Sequence, residues 1–198
     1  SLKSVVLGLG ESIGSKPKIE EAIDPKSISS LKHGVYPLEK DIIFALNQFE
    51  NILLKHGVEV LRPSEVLDCN QVFTRDIAFV LFDKIIIPNI INERLNEQKG
   101  LRDIISLIES KNILHTPKGV HVEGGDVIVH NDFVFVGYSE KKDFSNYKVA
   151  RTNSESLKFL QYHFPNKEII GLELLKSDVD IFEGALHLDC CFQPLGKE

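Results

Sequence analysis

Three short acidic motifs, Phe73-Thr74-Arg75-Asp76, Glu123-Gly124-Gly125-Asp126 and His187-Leu188-Asp189, constrain this chain more than any other feature. Each follows a helix-then-strand pattern, and the first two lead into a strand, a polar turn and a second strand. The aspartates Asp76, Asp126 and Asp189 lie about 50 and about 63 residues apart, a spacing of repeated supersecondary units that share one core. Side chains distant in sequence can then converge on one face, and an acidic convergence suits a cation.

The pattern between the motifs is regular. Leu38, Ile42, Ile43, Leu46, Phe49, Ile52 and Leu53 recur at helical spacing between Pro37 and Gly57, and Val58 to Leu61 alternate as a strand. Beyond Asp76, Ile77 to Phe82, a turn at Asp83-Lys84 and Ile85 to Ile87 predict a hairpin. The second unit reads as a helix over Glu93 to Ser110 broken or eased at Gly100, a strand at Ile113-Leu114, and a hairpin of Val127 to Val129 and Phe133 to Val136 around His130-Asn131-Asp132. The third begins with a helix from Asn153 or Ser154 to His163, continues with a strand over Glu168 to Leu174, and stops at Glu198 before a matching second strand. Ahead of all this, Val5 to Leu7 predict a first strand. Ser15 to Ser30, rich in Lys, Ser, Pro and Glu, reads as a loop within a mobile segment from Gly10 to His33.

The fold class is therefore α/β. Units that each expose one apolar sheet face need neighbours to cover it, so residues 1–198 are expected to form a single ring or propeller-like domain that is incomplete at its C-terminus. A hydrophobic content of 42% supports a real core. The 23 basic and 29 acidic residues are spread without basic runs, which argues against a nucleic-acid partner. No apolar stretch approaches the roughly 18 residues that span a bilayer, and the N-terminus lacks a secretory pattern. Cys69 and the vicinal Cys190-Cys191 make neither a disulfide framework nor a zinc spacing, so the chain reads as cytosolic. The histidines share no metal-ligand spacing, and Gly8-Leu9-Gly10 with Gly14 departs from a dinucleotide fingerprint, so neither metal nor cofactor is expected.

Four signatures in order, Asn70-x-x-Phe73-Thr74-Arg75-Asp76, Glu123-Gly124-Gly125-Asp126-Val127, Gly137-Tyr138-Ser139 with Arg151-Thr152-Asn153, and His187-Leu188-Asp189, resemble those of the guanidino-group modifying superfamily. Its members are arginine deiminases, dimethylarginine dimethylaminohydrolases and amidinotransferases. The resemblance runs from about Val60 to Gly196. It implies the pentein fold, an α/β propeller of five ββαβ-type units, of which about three fall in this chain, and a small guanidino substrate. By that resemblance His187 is the general acid and base, Glu123 its partner, and Asn70 and Arg151 hold the amino-acid end of the substrate. Asp76 and Asp189 grip the guanidinium, and Asp126 belongs to the site or serves as a turn residue. Glu140 to Ala150 reads as an insertion into the family's Ser-x-Arg-Thr stretch.

The residue types agree with that chemistry. A guanidinium is planar and permanently charged, and carboxylates bind it with paired, parallel hydrogen bonds. His187 and Asp189, two apart, face one side if they lie on a strand. The departure is the nucleophile, because the family's catalytic Cys near the C-terminus has no match here. Cys69, Cys190 and Cys191 read as small buried hydrophobes, and Phe73, Phe133 and Phe135 as core or strand residues. The leading expectation is a Cys-dependent hydrolase of arginine or an arginine derivative, inactive as this piece alone. Alternatives are an amidinotransferase and a non-catalytic guanidino-binding protein; a homo-oligomer is compatible with all three.

Overall fold

The computed structural model describes residues 2–196; Ser1, where the reading of the N-terminus starts, and Lys197 and Glu198, at the end of the expected third unit, lie outside the described residues. Strand β1 (Ser4–Val6) is followed by helices α1 (Pro25–Lys32) and α2 (Glu39–Lys55) and pairs in parallel with β2 (Glu59–Leu61). After a one-turn helix, α3 (Thr74–Ile77), β3 (Phe79–Leu81) and β4 (Lys84–Ile87) form an antiparallel hairpin. Helix α4 (Arg102–Ser106) leads to β5 (Ile113–His115), which lies parallel to β4. The pattern repeats as β6 (Val127–His130) antiparallel to β7 (Phe133–Tyr138), then α5 (Lys141–Asn146), α6 (Glu155–His163), and β8 (Glu168–Glu173) parallel to β7.

The repeat places the motifs equivalently. After each parallel strand, β2, β5 and β8, the chain loops into a single helical turn, at Thr74–Ile77, Gly124–Asp126 and Leu188–Cys190. A neighbouring apolar residue pins each turn: Ile77, Val127 and Leu188 are all buried in core clusters. With one side of the turn committed to the core, the polar members of the motif are driven to the other. The largest cluster joins Phe79, Leu81 and Ile86 of one sheet to Val127, Val134 and Val136 of the next, with Leu160 and Phe164 from α6 and its end. Each such side chain contributes about 1.5–3 kcal/mol when fully buried, so adjacent units are fused through a shared core.

Several expectations need correction. Ser15 to Ser30 is partly helical: Asp24 accepts the backbone N–H of Ser27 at 2.8 Å and Pro25 occupies the first helical position, a start signal masked by the Lys- and Ser-rich composition. Of the two readings of Glu93 to Ser110, broken or eased at Gly100, the segment is broken, with 3-10 turns at Asn92–Arg94 and Glu97–Leu101 followed by α4. Gly100 shows the reason, since a Cβ there would lie 2.1 Å from the Gln71 side chain and 2.6 Å from the Ser64 carbonyl oxygen. The first hairpin turns at Phe82-Asp83, one residue earlier than read, with Phe82 in the left-handed region at φ 56°. Its ring is packed on Phe164 and under Lys167 Nζ, which holds a conformation that the β-carbon disfavours. Phe73 is 60% exposed rather than part of the core. No helix among the described residues is long and apolar enough to cross a membrane.

Candidate active site

The second motif is the hub on which the other two lock. Arg75 Nε donates to the Gly124 carbonyl at 3.0 Å, and a Cβ on Gly124 would meet the Arg75 carbonyl oxygen at 2.0 Å. A Cβ on Gly125 would come within 2.7 Å of His187 Nδ1 and 3.0 Å of Asp76 Oδ1. Both glycines are thus required by close approach rather than by backbone freedom. Asp126, fully buried, accepts the Thr152 hydroxyl at 2.6 Å and the Leu188 backbone N–H at 2.9 Å. Of the two roles open to Asp126, the geometry is that of a brace: it ties the third motif's turn to the second. Burial pushes its carboxyl up, against the opposing effects of the His187 and Lys176 charges and these two hydrogen bonds.

Glu123, at 0% exposure, stands at the centre. Its Oε2 lies 2.9 Å from His187 Nε2 and 3.2 Å from Arg94 Nη1, and Arg151 Nη1 lies 3.3 Å from Oε1. Burial works to raise the Glu123 pKa, but the hydrogen bond to His187 and the charges of Arg151, Arg94 and His187 outweigh it and hold the carboxyl below its usual range. For His187 the signs reverse. Desolvation opposes its charge, while the bond to Glu123 and the charges of Asp126, Asp76 and Glu123 prevail, and the imidazole binds its proton more tightly than usual. Its other nitrogen, Nδ1, faces Asp76 Oδ1 at 3.8 Å, too long for a hydrogen bond.

Arg94 and Glu97 belong to this cluster and were missed from sequence. Arg94 donates from Nε and Nη2 to the two oxygens of Glu97, both at 2.7 Å, from Nη1 to Asp76 at 2.9 Å and Glu123 at 3.2 Å, and from Nη2 to the Phe73 carbonyl at 3.3 Å. Burial disfavours its charge, yet the hydrogen bonding and charge of Glu97, with Glu123 and Asp76 behind them, keep it firmly protonated. The single available signal was an oppositely charged pair three residues apart, commonplace on any helix surface. Asp76, Glu123 and His187 also present ligand-type atoms within 4.8 Å of one another. Those atoms are already engaged: Glu123 with His187, and both carboxylates with a guanidinium.

Asp76 and His187 open onto a cleft of about 800 Å3, together with Phe73, Asp189, Cys190 and Cys191. Asp189 therefore shares a cavity with Asp76, but it is exposed, and it sits on a 3-10 turn rather than a strand with His187. Cys190 and Cys191 are exposed as well, which overturns their reading as core residues, whereas Cys69 is buried as expected. Desolvation first, then Asp189 and Cys191, push the Cys190 thiol up. Arg151 is 3% exposed, spends Nε on the Lys148 carbonyl and Nη1 on Glu123, and does not line the cleft. Asn70 lines a second cavity of about 470 Å3 instead.

Lys176, also unforeseen, braces His187 from the far side. Its buried Nζ donates to the carbonyls of Ala185 and Leu186 at 2.9 and 2.8 Å, immediately before the histidine, as Asp126 holds the N–H immediately after it. Lys176→Met leaves two carbonyls without their donor and is expected to cost about 2 kcal/mol in urea unfolding. An unchanged midpoint would show that water replaces the ammonium there.

No protein-family model matches this chain. An uncharacterized protein, YkgA of Bacillus subtilis (strain 168), is 33% identical over 148 residues, which takes in 73% of this chain and 45% of that protein. Among solved structures, the amidinotransferase SxtG from Microseira wollei superposes with a TM-score of 0.68 at 20% identity over 98% of this chain and 64% of its own. The N-terminal domain of ArgZ, a cyanobacterial arginine dihydrolase bound to product, gives 0.68 at 16% identity over 98% and 64%. The dimethylarginine dimethylaminohydrolase of Pseudomonas aeruginosa, complexed with citrulline, gives 0.63 at 16% identity over 90% and 63%. The fold is the one that these three solved structures share. This chain spans about half the length of the curated relative and under two thirds of each of these structures.

Proposed function

We propose that this chain forms part of an enzyme that modifies the guanidinium group of a small guanidino compound. One observation carries the reading: His187, held by the Glu123 carboxylate, opens beside Asp76 onto a cleft, and the same carboxylates, Asp76 and Glu123, already hold a guanidinium, that of Arg94. A substrate guanidinium entering the cleft meets the Asp76 oxygen that Arg94 leaves open, Oδ1, with His187 3.8 Å from it. His187 in its charged form can donate a proton to a departing amine and, once neutral, take one from water.

In the proposed sequence a thiolate attacks the guanidinium carbon, the bond to one nitrogen breaks as His187 protonates the leaving amine, and water then releases a ureido product and the thiol. Cys69 is buried and lines neither cavity, and Cys190 and Cys191 directly follow the His187-Leu188-Asp189 motif, where the resemblance places strand residues of the third unit, so we assign the nucleophile to none of them. We place it in the remainder of a longer protein, in which residues 1–198 supply about three of five units of a closed ring. Water as acceptor makes the enzyme a hydrolase; an amine in its place makes it an amidinotransferase, the second reading. Ureido product from arginine or methylated arginines without added amine supports the first, and product formed only when an acceptor amine is present supports the second.

The guanidinium site itself is testable on this chain. Methylguanidine should shift the imidazole resonances of His187, and Asp76→Asn should weaken that binding by about 3 kcal/mol, roughly a hundredfold. Equal affinity in the two proteins would remove Asp76 from the site.

A further inference from the structure

The cysteines divide by position. Cys69 is buried away from both cavities, while Cys190 and Cys191 are adjacent, exposed, and on the wall of the cleft that Asp76 and His187 open onto. The proposed function gives these two thiols no task. Free cysteine is ordinarily among the most buried residue types, and two side by side on a cavity wall make a ligand set of their own.

The turn at Leu188–Cys190 fixes where they stand. The Cys190 N–H donates to the His187 carbonyl at 3.2 Å and the Cys191 N–H to the Leu188 carbonyl at 3.0 Å, with the Leu188 side chain anchored in the core. The two thiols themselves are loosely held. Cys190 Sγ lies 3.7 Å from Asp189 Oδ1 and Cys191 Sγ 3.5 Å from the Leu188 carbonyl oxygen, and a thiol is a weak donor, so both contacts are easily given up.

Three kinds of product compete for such a pair. A disulfide is disfavoured: consecutive α-carbons stand about 3.8 Å apart across a trans peptide, short of the roughly 4.4–6.8 Å that a disulfide spans. A structural zinc ion takes four ligands, and neither cysteine belongs to a group of three ligand-type atoms within 4.8 Å of one another among the described residues. A three-coordinate thiophilic centre that brings one substituent of its own needs only the two sulfurs. Trivalent arsenic in an organic arsenous acid, RAs(OH)2, is such a centre.

We infer that Cys190 and Cys191 form a vicinal dithiol site for trivalent arsenicals, whose occupant stands in the cleft beside His187 and Asp189. In the condensation two S–H and two As–O bonds break, two As–S bonds form and two waters leave. Arsenic stays trivalent, so no oxidant or reductant takes part. Each thiol proton departs with a hydroxyl, and the reaction therefore proceeds from the neutral thiol, the form that the surroundings of Cys190 favour. The site does not depend on the guanidinium reading.

The experiment titrates the 198-residue chain with phenylarsine oxide, which hydrates to the arsenous acid, and follows intact mass, free thiols and the His187 ring proton resonances. One arsenical is expected per chain, with two thiols lost and the His187 resonances shifted. Affinity should fall about a hundredfold or more in Cys190→Ser and in Cys191→Ser, because each retains one attachment in place of two, and should be unchanged in Cys69→Ala. Dimercaptopropanol should release the arsenical where the same concentration of mercaptoethanol does not, a comparison that needs no variant. Two arsenicals per chain, equal affinity in either serine variant, or release by both thiols alike overturns the dithiol site. Unshifted His187 resonances with one arsenical bound overturn its place in the cleft.

Discussion

Arg94→Met is expected to be the most damaging single substitution in this protein, costing about 3–5 kcal/mol of stability. Asp76, Glu97 and Glu123 are all buried around this one guanidinium. Removing it leaves three carboxylates with Arg151 and His187 as the remaining compensation, and those two reach Glu123 well but Glu97 not at all among the described contacts. Glu97 is the most strained member even in the intact cluster: burial, joined by the charges of Glu123 and Asp76, raises its carboxyl pKa despite Arg94. Arg94→Lys should rescue little, because an ammonium offers three donors from a single point where the guanidinium spreads five across a plane. Adding Glu97→Gln to the Met variant should recover part of the loss by deleting one uncompensated charge. Urea midpoints for the four proteins decide the matter, and a loss below about 1 kcal/mol in the Met variant would mean that the carboxylates are not held in place by Arg94.

The second large effect concerns the imidazole. Glu123→Gln should lower the pKa of His187, followed as the midpoint of its ring proton resonances, because the hydrogen bond to Glu123 is the largest influence that raises it. The stability consequence has a definite sign. A histidine whose folded pKa lies above its ordinary 6.5 stabilises the fold fully below about that pH and loses the contribution as pH rises through the folded value. Glu123, whose folded pKa lies below its ordinary 4.5, contributes above about that pH and loses it as pH falls through the folded value. The pair is therefore complete between about 4.5 and about 6.5, and stability should decline on the alkaline side of that window. In Glu123→Gln the alkaline decline should flatten. A slope that survives the substitution would assign it to another group and would remove the ion pair as the source of the shift.

That pair also explains why the third motif has to arrive where it does. His187 is held on both flanks, by Lys176 on the carbonyls before it and Asp126 on the N–H after it, so its ring meets Glu123 without searching rotamers. In the function proposed above, an acid preorganised in this way loses little entropy when it transfers a proton. Gly125 completes the arrangement by leaving room for the ring.

The sequence by itself determined the repeated strand, turn and strand pattern and the order of the three motifs. Those are properties of local periodicity, of turn chemistry and of a spacing long enough to name a unit. What only the tertiary structure decided is how charge is shared at the centre. Arg94, Glu97 and Lys176 carry no motif; their roles arise from contacts with Asp76, Glu123, Ala185 and Leu186 that depend on which turns of different units face one another. Exposure was decided there too, since the same apolar or thiol side chain is core in Cys69 and surface in Phe73, Cys190 and Cys191. Burial is a property of what packs opposite a residue, and a linear pattern records only what lies beside it.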